Sequence, residues 1–251
     1  MMRRRFSSYK QIYPDSAPNG VYAVTKDIKL LPFDKGNNNC IGISLIKDDH
    51  RFMIEKNEYS NQSYKDAAAG KDSTYEFYWG GYGTDQADIT NYVNAYESTR
   101  SGYLKTEGGS YNGTPNLPDD ISLWTSGSLS DWQGKANSGI LKGILTGDES
   151  NTSYATIGHV LNTFLASQDA KGFDDWYIPS CGQLSLIFMS LMSINKALYN
   201  IGGLQMSNYM RYWSSSEYSN YAGWFVSLEE GRVNYNLKIY TSLVRFIRDI
   251  K

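Results

Sequence analysis

From Ala222 onward the side chains alternate in character with a period of two. Ala222, Trp224, Val226 and Leu228 fall on one face of an extended strand, and Gly223, Phe225, Ser227 and Glu229 on the other. Such a run commits the C-terminal part of the chain to a sheet with one face turned to a core. Burying Trp224, Val226 and Leu228 there contributes roughly 1.5–3 kcal/mol each. No comparable core argument accounts for Phe225 on the polar face, so it is expected to meet a ligand. Glu230-Gly231 reads as a hairpin turn. The return strand carries Asn234-Tyr235-Asn236, and Tyr240-Thr241-Ser242 precedes a closing Val244-Arg245-Phe246-Ile247-Arg248. Tyr212-Trp213-Ser214-Ser215-Ser216-Glu217-Tyr218 opens this series of short β segments.

Upstream, residues 1–18 are polar and hold Pro14 and Pro18, which reads as an N-terminal arm. Gly20 to Val24, Ile28 to Phe33, Cys40 to Ile46 and Arg51 to Glu55 read as strands separated by turn residues, a β-meander over 19–56. Tyr75 to Trp79 is a short aromatic strand ending in Gly80-Gly81-Tyr82-Gly83. That glycine run lacks the spacing of a phosphate loop and a following apolar helix, so it reads as a turn of close backbone approach. Residues 99–135, rich in Gly, Ser, Asn and Pro, read as long ligand-facing loops.

Two helices are expected. Ser153 as N-cap starts one over Tyr154 to Ala166, with Ile157, Val160, Leu161, Phe164 and Leu165 on one stripe. Ser180, with Gln183 three residues on as a capping box, starts another over Cys181 to Tyr199. Trp176-Tyr177-Ile178-Pro179 between them reads as a short strand, and a weaker helix is expected over Asn137 to Leu145.

The 251 residues fit one large domain or two small ones. Lys+Arg (24) nearly cancel Asp+Glu (26), which excludes the basic surface of a nonspecific nucleic-acid binder. Tyrosine is unusually frequent at 21 residues, and with Ser, Asn and Gly it gives the composition of a recognition surface. No stretch approaches the roughly 18 apolar residues of a membrane span, and the basic Arg3-Arg4-Arg5 is followed by no apolar segment. The chain is therefore expected to be soluble, without a Sec signal or membrane insertion. Cys40 and Cys181 are expected as buried free thiols, with a bridge between them left open. His50 and His159 stand apart with no ligand spacing, and neither metal nor cofactor is expected.

Several of these segments together resemble one family. Trp176-Tyr177-Ile178-Pro179-Ser180 with Gln183-Leu184, the Tyr212 to Tyr218 run, Gly231-Arg232-Val233 and Val244-Arg245-Phe246 carry the likeness. Gly20-Val21-Tyr22, Phe52-Met53-Ile54, Trp79 to Gly83 and Asp131-Trp132-Gln133-Gly134-Lys135-Ala136-Asn137 extend it upstream. The chain resembles bacterial and phage C-type-lectin-like proteins of the Lcl C-terminal (DUF1566) type, among them the variable proteins of diversity-generating retroelements. The resemblance implies an α+β, C-type-lectin-like fold, a single domain over 19–251, with two main helices and small twisted antiparallel sheets after the N-terminal β-meander. It also implies a ligand-binding variable region over 207–245. In such targets, adenine-directed mutagenesis leaves Asn, Tyr, Ser, Thr and Ile at surface positions, a set that Ser219-Asn220-Tyr221, Asn234-Tyr235-Asn236 and Ile239 to Ser242 match. A diversified member and a fixed relative both fit.

The expected function is noncatalytic binding of a protein or glycan on a cell surface, with no nucleic acid, by a component of a phage virion or bacterial surface. Oligomeric state is left open, as is a cytoplasmic location. The expected contact residues are Tyr218, Ser219, Asn220, Tyr221, Phe225, Ser227, Glu229, Asn234, Tyr235, Asn236, Tyr240 and Ser242, with Tyr221, Phe225, Tyr235 and Tyr240 as anchors. Tyrosine supplies a large amphipathic contact with few rotatable bonds, and Asn and Ser supply adaptable hydrogen bonds. Two alternatives come from the same fold. Sulfatase-modifying enzymes are expected to use a cysteine pair near the chain end, and the last 45 residues here hold none. Calcium-dependent lectins carry Glu-Pro-Asn or Gln-Pro-Asp and Trp-Asn-Asp, which do not occur here.

Overall fold

The computed structural model describes residues 12–58, 76–86, 89, 127–144, 155–207 and 210–251. Ser153, residues 99–126 of the expected long loops and most of the expected N-terminal arm lie outside them. Five strands make the largest sheet: β1 (Gly20–Val24), β2 (Leu30–Pro32), β3 (Gly42–Lys47), β4 (His50–Glu55) and, from the chain's end, β10 (Ile247–Asp249). All pairs are antiparallel, in the order β10-β4-β3-β1-β2. The expected meander is therefore modified. Strand β1 is inserted between β2 and β3, with Ala23 opposite both Leu31 and Ile43, and Ile247 of β10 pairs with Ile54.

Alternation along these strands divides their side chains between two cores. Val21, Ala23, Ile43, Leu45, Phe52 and Ile54 join one, while Tyr22, Val24, Ile46 and Met53 join the other. Helix α2 (Ile157–Leu165), after α1 (Gly134–Leu141), packs its stripe of Ile157, Val160, Leu161 and Phe164 into the second core, with Trp176. Its N-cap is Thr156, whose hydroxyl accepts the His159 N–H at 3.1 Å, so the helix begins later than the sequence predicts. Helix α1, by contrast, starts three residues before the expected Asn137.

The single helix expected from Cys181 is two. Helix α3 (Cys181–Met189) and helix α4 (Leu191–Asn200) meet at Ser190, whose N–H is shared between the Leu186 and Ile187 carbonyls. Residues Cys181 to Phe188 are buried all round, whereas α4 buries only the stripe of Leu191, Ile194, Ala197 and Leu198. Helix α3 packs on the C-terminal sheet and α4 on β1 and β3, so the break lets each face its own sheet. The Gln183 side-chain oxygen accepts the Ser180 N–H at 2.9 Å, as the capping-box spacing predicts. The expected strand at Trp176–Pro179 reduces to one bridge, in which Tyr177 and Ile247 exchange backbone hydrogen bonds of 2.8 and 2.9 Å.

The C-terminal sheet has β6 (Arg211–Ser219), β7 (Ala222–Ser227) and β8 (Arg232–Leu237) in that order, all antiparallel. Strands β5 (Phe77–Tyr78) and β9 (Thr241–Ser242) form a separate two-stranded pair. Among the described residues the fold is α+β, with four α-helices and small antiparallel sheets. Trp176, Trp213, Trp224 and Phe164 are all buried, and Cys40 and Cys181 are buried free thiols. Among the described residues, no helix is long and apolar enough to cross a membrane.

Candidate binding face

Three segments meet at one end of the C-terminal sheet: the Gly80–Gln86 stretch, the turn between β6 and β7, and the chain leaving β8. Gly80, Gly81 and Gly83 hold φ of 97°, 65° and 85°, a left-handed backbone that favours glycine. The Gly83 N–H donates to the Asn220 carbonyl and the Lys238 N–H to the Tyr221 carbonyl, both at 2.9 Å. Gly223 is required for the layer beneath: a Cβ there would lie 2.6 Å from Cδ1 of Trp79.

A buried ion pair fastens the three segments together. Glu217 and Lys238 pair directly, with both side chains fully buried. Lys238 Nζ also donates to the Thr84 carbonyl at 3.0 Å and sits 4.6 Å from the centre of the Trp79 ring. The Gln86 N–H donates to Glu217 at 3.1 Å, and Trp79 Nε1 donates to the Ser214 carbonyl at 2.8 Å. Burial pushes the Glu217 carboxyl pKa up and the Lys238 ammonium pKa down, and their mutual attraction opposes both shifts.

On this support stand the tyrosines. Tyr221 is 49% exposed and Tyr240 53%, while Tyr82 meets Tyr221 edge to face with ring centres 5.2 Å apart. Ser219 and Asn220 are half-buried in the same turn, where the Ser219 hydroxyl accepts the Tyr221 N–H at 3.3 Å. Tyr218 and Tyr235 stack at 3.8 Å with planes 4° apart and pack edge-on against Trp224. Both are half-buried against the first core, so Tyr235 supports the sheet more than it faces outward.

The remaining expected contacts divide. Asn234 and Asn236 fold back on β8, where their side-chain oxygens accept the Tyr235 and Leu237 N–H groups at 2.9 Å each. Glu229 is exposed but sits in the β7–β8 turn, at the opposite end of the strands from Tyr221. Phe225, Ser227 and Ser242 are buried, which corrects their assignment as contacts. The face of β7 that looked polar is covered: Phe225 packs edge-on to Trp213 and lies under the Arg211 guanidinium. The Ser227 hydroxyl accepts the Glu230 N–H at 3.2 Å within the turn, and Ser242 pairs with Phe77 in the β5–β9 ladder.

Sequence reasoning missed Tyr82, Trp79 and Lys238. The glycine run beside Tyr82 was the available signal for the first two, because it marked close backbone approach. Nothing local distinguishes Lys238, a charged residue at the end of a strand. The Cys181 thiol is pushed up to about 12 by burial, which leaves it unreactive at neutral pH. Among the described residues, no three His, Cys, Asp or Glu side chains are grouped to hold a metal ion.

The chain is similar in structure to a fimbrial protein from Bacteroides ovatus, with a TM-score of 0.50 and 17% sequence identity over 93% of this chain. It spans 49% of that protein's length, so the likeness is one of fold across about half of the larger molecule. No family model and no curated protein matches the chain.

Proposed function

We propose that this chain is a noncatalytic binding module whose contact surface is the end of the C-terminal sheet bearing Tyr82, Tyr221 and Tyr240. The observation that carries the reading is that exposed Tyr221 meets half-buried Tyr82, with exposed Tyr240 on the chain leaving β8, on segments held by a fully buried ion pair. A preorganised aromatic surface loses little conformational entropy on binding, which is where affinity is usually lost. The partner is a protein or glycan at a cell surface, and the fold likeness to a fimbrial protein supports a surface role. The relation to C-type-lectin-like proteins of the Lcl C-terminal type rests on the sequence motifs. On the retroelement reading, Ser219, Asn220, Tyr221 and Tyr240 are the diversified positions. A neighbouring template repeat differing from this gene only at adenines supports that reading, and its absence leaves a fixed relative.

The binding assignment is tested by screening the immobilised protein against glycan arrays and bacterial surface fractions, with Tyr221→Ala/Tyr240→Ala in parallel. Retention of a defined ligand by the parent and its loss by the double variant is expected. Equal retention by both proteins contradicts the site.

A further inference from the structure

The charges on the tyrosine face are one-sided. On the described stretches that form it, 76–86, 217–223 and 236–242, Lys238 is the only cation. It is fully buried and held by Glu217 and by the Thr84 carbonyl at 3.0 Å, so it offers nothing to a ligand. Glu76 accepts the Thr241 hydroxyl at 2.9 Å. Asp85 is different. It is exposed, and among the described residues its carboxylate takes part in no hydrogen bond or ion pair.

The residues on either side fix where Asp85 stands. The Thr84 carbonyl takes its bond from Lys238, and the Gln86 N–H donates to Glu217 at 3.1 Å. Two residues earlier, the Gly83 N–H is bonded to the Asn220 carbonyl, which ties the same stretch to the turn bearing Tyr221. Tyr82 and Tyr221 meet edge to face with planes 62° apart, so each keeps at least one ring face clear of the other. Gly83 puts no side chain against them, although a Cβ there would lie 4.0 Å from Cε1 of Tyr221.

An aromatic ring face carries negative partial charge and attracts a cation within about 6 Å of its centre. Open tyrosine rings beside an unpaired carboxylate therefore favour a positive group and repel an anion. A guanidinium or ammonium meets both features, lying on a ring and pairing with Asp85. A neutral sugar also lies on aromatic rings, but it draws no charge attraction from Asp85.

We infer that the tyrosine face recognises a cationic side chain, an arginine or lysine displayed by a protein partner, which lies on the Tyr82–Tyr221 rings and pairs with Asp85. The assignment rests on the binding role proposed above and narrows the partner to a protein.

Titration of the ¹⁵N-labelled full chain with an acetylated Gly-Arg repeat peptide, followed by amide shifts, tests the inference. A Gly-citrulline peptide of equal length keeps the side-chain shape and removes the charge. The arginine peptide is expected to give saturable shifts at Tyr82, Gly83, Asp85 and Tyr221, with the citrulline peptide weaker by about tenfold. Asp85→Asn is expected to weaken the arginine peptide by about fivefold and leave the citrulline peptide unchanged. Asp27→Asn, which removes an exposed carboxylate from the β1–β2 turn, is expected to change neither. Equal affinity for the two peptides overturns the inference, as do equal losses in Asp85→Asn and Asp27→Asn, shifts confined to residues off the face, or no saturable shift at about 10 mM. A neutral glycan held by the parent and lost by Tyr221→Ala/Tyr240→Ala, with no response to arginine, overturns the preference for a cation and leaves the face's binding role standing. Equal retention of a ligand by parent and double variant removes the role itself.

Discussion

Lys238 and Glu217 show how a single pair of residues can hold a surface in place. Neither side chain reaches solvent, and both secure the Gly80–Gln86 stretch: Lys238 through the Thr84 carbonyl, Glu217 through the Gln86 N–H. Removing one partner leaves an uncompensated charge in the core, a loss of about 3–5 kcal/mol by analogy with other buried pairs. Lys238→Met is therefore expected to lower the unfolding free energy by about that much, measured in urea. Adding Glu217→Gln to it is expected to restore most of the loss, because the remaining charge is gone. Equal costs for the single and double variants contradict the pair's role. Phe225 teaches the opposite lesson about single residues. Its polar neighbours Ser227 and Glu229 made it look like a contact, but Trp213 from the paired strand β6 and Trp79 from far upstream close over that side of β7. No local pattern carries that information.

At the scale of elements, β8 is an edge strand of its sheet among the described residues, and its N–H groups at Tyr235 and Leu237 are satisfied by the side chains of Asn234 and Asn236. An edge strand with free donors invites pairing with another chain, and these asparagines blunt it. Replacing both, Asn234→Val/Asn236→Val, is expected to raise self-association over the parent, read as a larger sedimentation coefficient at high concentration. An unchanged coefficient contradicts a protective role for the two side chains. Element identity was largely legible where the signal is local. The α2 stripe, the Ser180–Gln183 spacing and the alternation of β7 all predict what forms. The break at Ser190 was not, because the flanking Leu, Met and Ile residues all suit a helix and the break goes with the packing of its two halves on different sheets. The position of β1 between β2 and β3 is likewise a choice between pairings that local alternation leaves equal.

For the whole molecule, the two sheets act as partitions. Alternate residues of β1, β3 and β4 feed opposite cores, and β7 does the same with Trp224 on one side and Phe225 on the other. The chain's last strand closes the sheet begun by its first, so the C-terminal hairpins are embedded in the fold, and the β6–β7 turn projects from a fixed base. The tyrosine excess in the sequence located this region, and Tyr221 and Tyr240 lie on its surface. It could not separate them from Tyr235, which stacks on Tyr218, or bring in Tyr82 from 139 positions before Tyr221 in the numbering. Other exposed tyrosines, Tyr13 and Tyr199, lie outside the cluster and offer an internal control. The central claim is tested most directly by comparing ligand affinity and thermal stability of Tyr82→Ala/Tyr221→Ala/Tyr240→Ala with those of Tyr13→Ala/Tyr199→Ala. Loss of more than about 2 kcal/mol of binding in the triple variant alone, with both melting temperatures near the parent's, is the predicted result. Equal affinity in the two variants would contradict it.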